Sequence, residues 1–394
     1  MARSYFAIDS NQQRIEYRDR KRVWWWLSLG YPLMPLVGVL AHRMSGLQVL
    51  LGLPLVVSYG LMPLLDAWIG EDENNPPEGV VPELDADRYY RWLTWATVPL
   101  HFVALIGCAW WVGTQDLSWW AIGLIAYAAG AGSGLGLNTA HELGHKHNPL
   151  EQWLARITLA VPAYGHFTVE HGRGHHRWVA TPEDHASARM GESIYRFALR
   201  ELPGGVRRAW ALESERLRGA GRSPWNVVHN TMLQSYAITA VLQLGLVAAF
   251  GWVMLPFLAI HNLVAWWQLT SANYVEHYGL LRRREGDSYE TPQPHHSWNT
   301  NHLVTNLATF HLQRHSDHHA YPSRRYQCLR HFEDLPQLPS GYFGMFTLAY
   351  VPWLWFRVMD RRLLALPQVG GDLRRVNLDP RASARLWARH GARA

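Results

Sequence analysis

Six apolar runs divide this chain of 394 residues, and each comes close to the roughly 20 residues that an α-helix needs to cross a lipid bilayer. The bilayer core offers no water to the backbone, so a spanning segment of this kind has to be helical. The runs fall into three pairs with very short connections: residues 23–43 and 47–69, 92–113 and 117–139, and 233–254 and 255–275. The sequence therefore predicts an all-α, polytopic membrane protein with six transmembrane helices in three hairpins, the last hairpin turning at Pro256.

Charge is sparse and unevenly distributed. Charged residues make up 17% of the chain, whereas soluble domains have about 25%. The net charge of +6 comes from arginines that concentrate between the apolar runs, as is typical of cytoplasmic segments of membrane proteins. Membrane topology thus explains the charge better than nucleic-acid binding does. We expect a bacterial-type inner membrane location with the N- and C-termini in the cytoplasm.

This topology predicts a single membrane-embedded unit over residues 1–394. Residues 1–22 form a cytoplasmic N-terminal segment, and residues 23–275 contain the spans with their cytoplasmic insertions. Residues 276–345 are expected to form a histidine-rich catalytic cap, and residues 346–394 an Arg-rich tail. Segments 70–91 and 140–232 would face the cytoplasm together with this cap.

Nine histidines form four clusters on segments that this topology places on one membrane face. The clusters lie in HELGHK (141–146), EHGRGHH (170–176), NYVEHYGL (273–280) and LQRHSDHHA (312–320). The histidines are His141, His145, His171, His175, His176, His277, His315, His318 and His319. Nine imidazoles are too many for one ion, so we expect two metals with four or five ligands each.

Helical spacing suggests how the histidines are oriented, because residues three and four apart share a helix face. On this basis His171 and His175 point the same way, whereas His176 is turned by about 100° and can reach a different metal. Each cluster also has a carboxylate beside a histidine. Metal-bound histidines usually donate their other N–H to such an acceptor, and the candidates are Glu142, Glu170, Glu276 and Asp317.

Imidazole ligation alone leaves the metal open among Zn, Cu, Fe and Ni. HELGHK read by itself matches the H-E-x-x-H motif of zinc metalloproteases, but a three-ligand zinc site would leave the other histidines unused. A metal transporter would place such groups near the bilayer midplane, whereas these clusters lie at one interface. Both alternatives fit the pattern poorly.

The four motifs together resemble the integral-membrane non-haem di-iron alkane 1-monooxygenases, or alkane hydroxylases. The resemblance also includes PLLDAWIGEDENNPPE (63–78) and extends from about residue 50 to 345, with His185 standing where that family has proline. It implies that medium- to long-chain n-alkanes are hydroxylated at the terminal carbon with O2, and that the nine histidines bind two Fe ions. A membrane fatty-acyl desaturase or a xylene-type hydroxylase is the alternative enzyme.

The resemblance further implies that electrons come from a rubredoxin, which is served by a rubredoxin reductase. A rubredoxin needs four cysteine ligands, and this chain has only two cysteines, so the donor would be a separate protein. Rubredoxins tend to be acidic. The basic residues Arg282, Arg283 and Arg284 are therefore candidates for its docking surface, although they also fit a role in topology alone.

An alkane has no polar group, so selectivity for its end requires a narrow apolar channel. On the helix face of His141, small or apolar residues precede the histidine by one to three turns. Ser58 is a small residue in an otherwise bulky second span. The predicted channel residues are Ser58, Gly130, Gly134, Leu137 and Asn138. The alternative for the glycines is close helix packing.

Overall fold

The computed structural model describes residues 3–8, 12–72 and 74–391. Parts of the N-terminal segment and of the C-terminal tail, and Glu73 of the 63–78 motif, lie outside these ranges. The described chain is mainly helical, as predicted. Its principal helices are α1 Trp24–Ser45, α2 Gln48–Ile69, α3 Val81–Ala86, α4 Arg88–Thr114, α5 Trp119–Gly144, α6 Pro149–Ala160, α7 167–178, α8 Ile194–Gly219, α9 Thr231–Phe250, α10 Met254–His277, α11 Leu303–Ala308, α12 His315–Ala320, α13 Tyr342–Ala349, α14 Pro352–Leu364 and α15 Ser383–His390.

Within the described residues, five helices are long and apolar enough to cross a membrane: α1, α2, α4, α5 and α9. They correspond to the first five predicted spans. The sixth predicted span coincides with α10, whose 24 residues extend over about 36 Å at about 1.5 Å per residue. This helix is more polar, because it carries His261, Asn262 and Gln268 along its length. A membrane crossing by α10 stays a prediction.

The turn between the last two of these helices lies earlier than predicted. Helix α9 ends at Phe250 and α10 begins at Met254, so the predicted boundary at Pro256 is wrong. Gly251 has a φ of +80°, a backbone conformation that glycine adopts without a steric penalty. Pro256 lies instead in the first turn of α10, where its missing N–H is not needed.

In the described ranges, the β-strands form two short hairpins. Strand β1 (Arg3–Ile8) pairs antiparallel with β2 (Arg14–Asp19), and β3 (Arg284–Glu285) pairs with β4 (Ser288–Tyr289). The first hairpin buries Tyr5 and Tyr17 opposite each other. The N-terminal segment thus packs against the protein, a feature that its polarity did not predict.

Helices α5 and α10 pack along each other and position the functional site. A Cβ atom built on Gly130 of α5 would lie 2.5 Å from the backbone oxygen of His261 in α10, so the glycine permits close approach of the two backbones. His141 lies in the last turn of α5, and His277 is the last residue of α10. The packing therefore brings two of the histidine clusters to one end of the helix pair.

Candidate metal centre

The nine predicted histidines come together in two groups. One group has five members: His141, His145, His171, His176 and His318. The other has four members: His175, His277, His315 and His319. Within each group one nitrogen per histidine can be chosen so that all lie within 4.8 Å of one another. The expected division into four and five imidazoles therefore agrees with the structure.

The histidines of EHGRGHH divide between the two groups differently from what helical spacing predicted. His171 shares a group with His176, and His175 belongs to the other group. Residues Glu170–His175 form a π-helical turn, in which backbone hydrogen bonds join residues five apart rather than four apart and the side chains are rotated from their α-helical directions. The Nε2 atoms of His171 and His176 accordingly lie 3.0 Å apart. An ideal α-helix was the wrong assumption at this position.

The histidine nitrogens have the arrangement expected of a ligand set. The Nε2 atom of His315 lies 3.2 Å from that of His277 and 3.0 Å from that of His319. Adjacent ligands on an ion bound at about 2.1 Å are separated by about 3 Å. Several other buried nitrogens have no hydrogen-bond partner in the described chain, among them Nε2 of His141, His145, His175 and His318. Unpartnered buried polar atoms are costly, so these residues fit bound metal.

Burial also favours the protonation state that metals require. Desolvation lowers the pKa of His145, His171, His176, His318 and His319 well below the usual histidine range, and the neighbouring imidazoles add to this effect. These side chains are therefore neutral at physiological pH. A neutral imidazole presents a lone pair to a metal without first releasing a proton.

Two partners that hold ligand histidines were not among the predicted residues. The Nδ1 atom of His175 lies 2.9 Å from Oδ2 of Asp184, and Nδ1 of His277 lies 3.1 Å from the backbone oxygen of His296. Both contacts leave the Nε2 atom of the histidine directed at the four-histidine group. Asp184 lies eight residues after the EHGRGHH motif, so the sequence around that motif offered it as a candidate carboxylate. No side-chain pattern, however, can identify a backbone carbonyl.

Three of the four predicted carboxylate partners contact cations instead of ligand histidines. Glu142 lies 3.0 Å from Nζ of Lys146. Glu170 accepts from Arg208, whose Nε lies 2.8 Å from Oε2. Asp317 pairs with arginines at 3.1 and 3.2 Å. Their charges are thus neutralised by side chains that stand behind the ligands.

Glu276 is the predicted carboxylate that does approach a ligand. Its Oε2 atom lies 3.4 Å from Nε2 of His315, and its Oε1 atom accepts a hydrogen bond of 3.0 Å from the Tyr342 hydroxyl. The carboxylate is buried beside the four-histidine group. It faces Nε2 of His315, the nitrogen that points to the group centre, rather than the outer Nδ1.

Glu290, His295 and His296 form a third group with metal-ligand geometry. In His296, however, Nδ1 accepts a hydrogen bond of 2.9 Å from the backbone amide of Gln293. This contact assigns the proton of the neutral ring to Nε2, which lies 3.3 Å from Glu290 Oε1. A protonated Nε2 is not a ligand, so this group does not offer three metal ligands.

An apolar cavity extends between α5 and α10 to the histidine groups. His141, His171 and His315 form part of its wall. Leu135, Leu269 and the rings of Phe343 and Phe346 supply apolar surface. Tyr31 and Phe343 also line it and pack with ring centroids 5.5 Å apart. A cavity with histidines of the metal centre in its wall and a mainly apolar lining suits a hydrocarbon.

The predicted channel residues divide between lining and packing positions. Gly134 and Asn138 line the cavity. Ser58 lies behind it, where its Oγ is 2.9 Å from the hydroxyl of Tyr31. Leu137 packs in a separate apolar cluster with Val98 and Leu143. The space beside Gly130 is filled by the backbone of α10. The last two positions therefore serve helix packing.

The three consecutive arginines also differ in exposure. Arg282 is buried, with its guanidinium donating to the backbone oxygens of Glu290 and Arg177 at 2.6 and 2.9 Å. Arg283 and Arg284 are exposed. They border a large surface pocket together with Arg374, Arg375 and His296. Only the two exposed arginines can contact a protein partner through their charges.

Comparison with known proteins agrees with this architecture. The fatty acid desaturase family model matches residues 117–349. Alkane 1-monooxygenases from Ectopseudomonas oleovorans and Pseudomonas putida are each 54% identical over 92% of this chain and 90% of their own lengths. Alkane 1-monooxygenase 1 from Alcanivorax borkumensis is 52% identical over the same shares.

Helices of membrane-spanning length together with clustered histidines, in a chain that this model matches over more than half its length, define a membrane protein of the fatty acid desaturase class. Its relatives show the narrower assignment. The chain belongs to the alkane 1-monooxygenase family, as its motifs predict, and is an oxidoreductase.

Proposed function

We propose that the protein hydroxylates medium- to long-chain n-alkanes at the terminal carbon, consuming O2, two electrons and two protons. The single observation that carries this proposal is the apolar cavity whose wall contains His141, His171 and His315. An alkane in this cavity would direct one end at the histidine groups. The names of the relatives support the same substrate class.

The chain's part in this reaction is binding, orientation and exclusion of water. Each methylene moved from water into the cavity contributes about 0.8 kcal/mol, so affinity grows with chain length until the cavity is filled. Tyr31 and Phe343 would close its far end. Since no polar group fixes the alkane, the position of this closure decides which carbon reaches the metal centre.

We propose that the two histidine groups hold two Fe ions, with His141, His145, His171, His176 and His318 on one and His175, His277, His315 and His319 on the other. The close spacing and neutral state of the imidazoles support this division. When bound, the metals supply the activation of O2. Glu276 would complete the four-histidine group, and Asp184 would orient His175.

A rubredoxin, served by its reductase, is the proposed electron donor. Its docking surface would include Arg283 and Arg284, joined by Arg374 and Arg375 at the same pocket. His296 also borders this pocket, and its backbone oxygen contacts His277 of the four-histidine group. An acidic donor held there would lie next to a short bonded route to the metal centre.

The proposed setting is the inner membrane of a bacterium, with six spans and both termini in the cytoplasm. Residues 1–394 would act as one monooxygenase unit in which 276–345 caps the helix ends. The exposed arginines after α10 support a cytoplasmic position for this cap.

Membranes that contain the protein provide the decisive test. They are supplied with rubredoxin, rubredoxin reductase, NADH, isotopically labelled O2 and a mixture of n-alkanes, and the products are identified by mass spectrometry. Labelled primary alcohols are the expected result. Alkenes without incorporated label would indicate a desaturase instead, and an absence of both products with metal-loaded protein and a working donor would contradict the proposal.

A further inference from the structure

A second, smaller cavity lies behind the apolar one, on the side of α8. Polar side chains in its lining are His166, Glu170, Glu201 and Asn273. Asn273 also lines the apolar cavity, and the ligand histidine His171 belongs to both walls. The two cavities therefore share wall residues, and the small one lies beside the histidine groups.

Glu201 of α8 is an unusual side chain for such a location. It is 5% exposed, and its carboxylate accepts hydrogen bonds from Thr270 Oγ1 at 2.7 Å and from Asn273 Nδ2 at 3.0 Å. Within residues 3–8, 12–72 and 74–391, no arginine or lysine forms an ion pair with it. Glu213 on the same helix is also buried but pairs with Arg216 at 2.7 Å. Glu201 thus lacks the cation that a buried carboxylate normally requires.

The surroundings of Glu201 favour its protonated form. Burial, the largest effect, raises the pKa of its carboxyl to about 7. The hydrogen bonds from Thr270 and Asn273 act in the opposite direction, the nearby charge of Glu170 adds to the increase, and Arg200 lowers it slightly. The other titratable groups that line the same cavity are Tyr164, His166, Glu170, His171 and His175. Near neutral pH a proton is therefore held, and also released, at this carboxyl.

We propose that Glu201 is the internal proton donor of the monooxygenase. The proton would pass through the small cavity and along the side chain of Asn273. This inference rests on the proposed function, whose equation is RCH3 + O2 + 2 e⁻ + 2 H⁺ → RCH2OH + H2O. Glu201 supplies one of the two protons, which is transferred by way of a water in the small cavity to the oxygen atom that leaves as water. The carboxylate then regains a proton from the cytoplasmic side.

The apolar cavity explains why such a donor is required. A substrate channel that excludes water protects the reaction, but it also removes the ordinary source of protons. The Arg208 side chain, which is 14% exposed, pairs with Glu170 at the outer wall of the small cavity. In this proposal protons reach the small cavity from the side of Arg208 and do not cross the alkane site. The chain keeps substrate and protons in separate compartments on the two sides of Asn273.

The first test detects the proton itself. Infrared spectra of the reconstituted protein, recorded without alkane or donor over a range of pH, are compared between the wild type and Glu201→Gln. We expect a carbonyl band of a protonated carboxyl that is lost as the pH rises through about 7 and is absent in the variant. Glu215→Gln, an exposed position on the same helix, should keep the band. An identical band in wild type and Glu201→Gln would overturn the inference.

The second test separates proton donation from a positioning role. A general acid contributes roughly 100-fold or more to a rate, so Glu201→Gln should lower turnover by about 100-fold at unchanged metal content. Wild-type turnover should fall as the pH rises through about 7, because the carboxyl then loses its proton. Glu201→Asp should restore part of the rate together with this pH dependence.

A residue that only positions Asn273 predicts a different outcome. Gln keeps an oxygen acceptor for the amide, so turnover and its pH profile would then be retained, and this result would overturn the inference. Because the infrared band is read without turnover, its outcome is independent of the reaction. Failure of the wild type to form alcohol would contradict the proposed function alone.

Discussion

The Nδ1 atom of His175 lies 2.9 Å from Oδ2 of Asp184, and both side chains are 1% exposed. Arg208 reaches the other oxygen of the same carboxylate at 2.7 Å. Burial alone would raise the pKa of Asp184, but His175 and Arg208 outweigh it and keep the pKa well below the usual range. Asp184 is therefore ionised, and it fixes the ring of His175 with Nε2 toward the four-histidine group.

Removing this charge should weaken metal binding. Asp184→Asn keeps the size of the side chain but no longer provides a carboxylate acceptor, and loss of such a partner typically costs about 10–100-fold in metal affinity. Metal content per protein, measured after dialysis against a graded series of chelator concentrations, would reveal this. Asp360→Asn is the matched control, because that buried carboxyl bonds Tyr278 instead. Equal metal retention in both variants would refute the role of Asp184.

The histidine set predicts an asymmetric response to substitution. His277→Ala removes one of four ligands from the smaller group, so we expect loss of roughly half of the bound metal and of nearly all turnover. His185→Ala and His390→Ala change histidines outside both groups and should be tolerated. Elemental analysis of the purified protein, combined with the alcohol assay, distinguishes these results. Full activity of His277→Ala would exclude it from the ligand set.

The metal centre was predictable because its ligands follow local rules and the topology places their segments together. The pairs His141–His145 and His315–His319 follow from helical spacing, and the ends of α5 and α10 follow from the apolar runs. Spacing also placed His318 beside His315, whereas the structure assigns His318 to the other group. The partition of His171, His175 and His176 was not predictable, since nothing in EHGRGHH distinguishes a π-helical turn from an α-helical one. The contact between His277 and the oxygen of His296 is likewise set by tertiary folding alone.

The same distinction applies to the glycines of α5. Spacing places Gly130 and Gly134 on the face of His141, but only the position of α10 decides that both pack against it and that Gly134 also lines the cavity. Small residues allow both outcomes, so their pattern cannot separate them. The minor hairpin β1–β2 was missed for a related reason, because its two tyrosines are buried by contacts distant in sequence.

Packing at Gly130 can be tested separately from substrate binding. The Cβ of Gly130→Ala would lie 2.5 Å from the backbone oxygen of His261, which cannot move without displacing α10. Overpacking of this kind typically costs about 1–3 kcal/mol. We therefore expect a lower unfolding temperature, measured by thermal denaturation in detergent, with an unchanged range of alkanes. Gly123→Ala on the same helix meets open space and should not destabilise. If Gly130→Ala instead accepted only shorter alkanes, Gly130 would have to be a channel residue.

The exposed arginines predict a salt-dependent interaction with the donor. Arg283→Gln combined with Arg284→Gln removes two surface charges next to the pocket, and electrostatic steering of this type changes association rates by about tenfold or more. The Michaelis constant for rubredoxin should rise, and its dependence on ionic strength should weaken. The double variant Arg218→Gln and Arg222→Gln alters exposed arginines elsewhere and should behave like wild type. An unchanged salt dependence in Arg283→Gln, Arg284→Gln would exclude this surface.

Chain-length selectivity should depend on Ser58, although this side chain does not line the cavity. Its Oγ lies 2.9 Å from the hydroxyl of Tyr31, a lining residue that we propose closes the far end of the cavity. In Ser58→Trp the indole has no space behind Tyr31, so the tyrosine ring is displaced into the cavity. Each methylene that no longer fits loses about 0.8 kcal/mol, or roughly fourfold in affinity. In the alkane mixture assay, the longest alkane that is oxidised should therefore be shorter than in the wild type, with medium-length chains still oxidised.

Val56→Trp on the same helix is the control, since that position is 66% exposed and should leave the range unchanged. An unaltered range in Ser58→Trp would mean that Tyr31 does not limit the alkane.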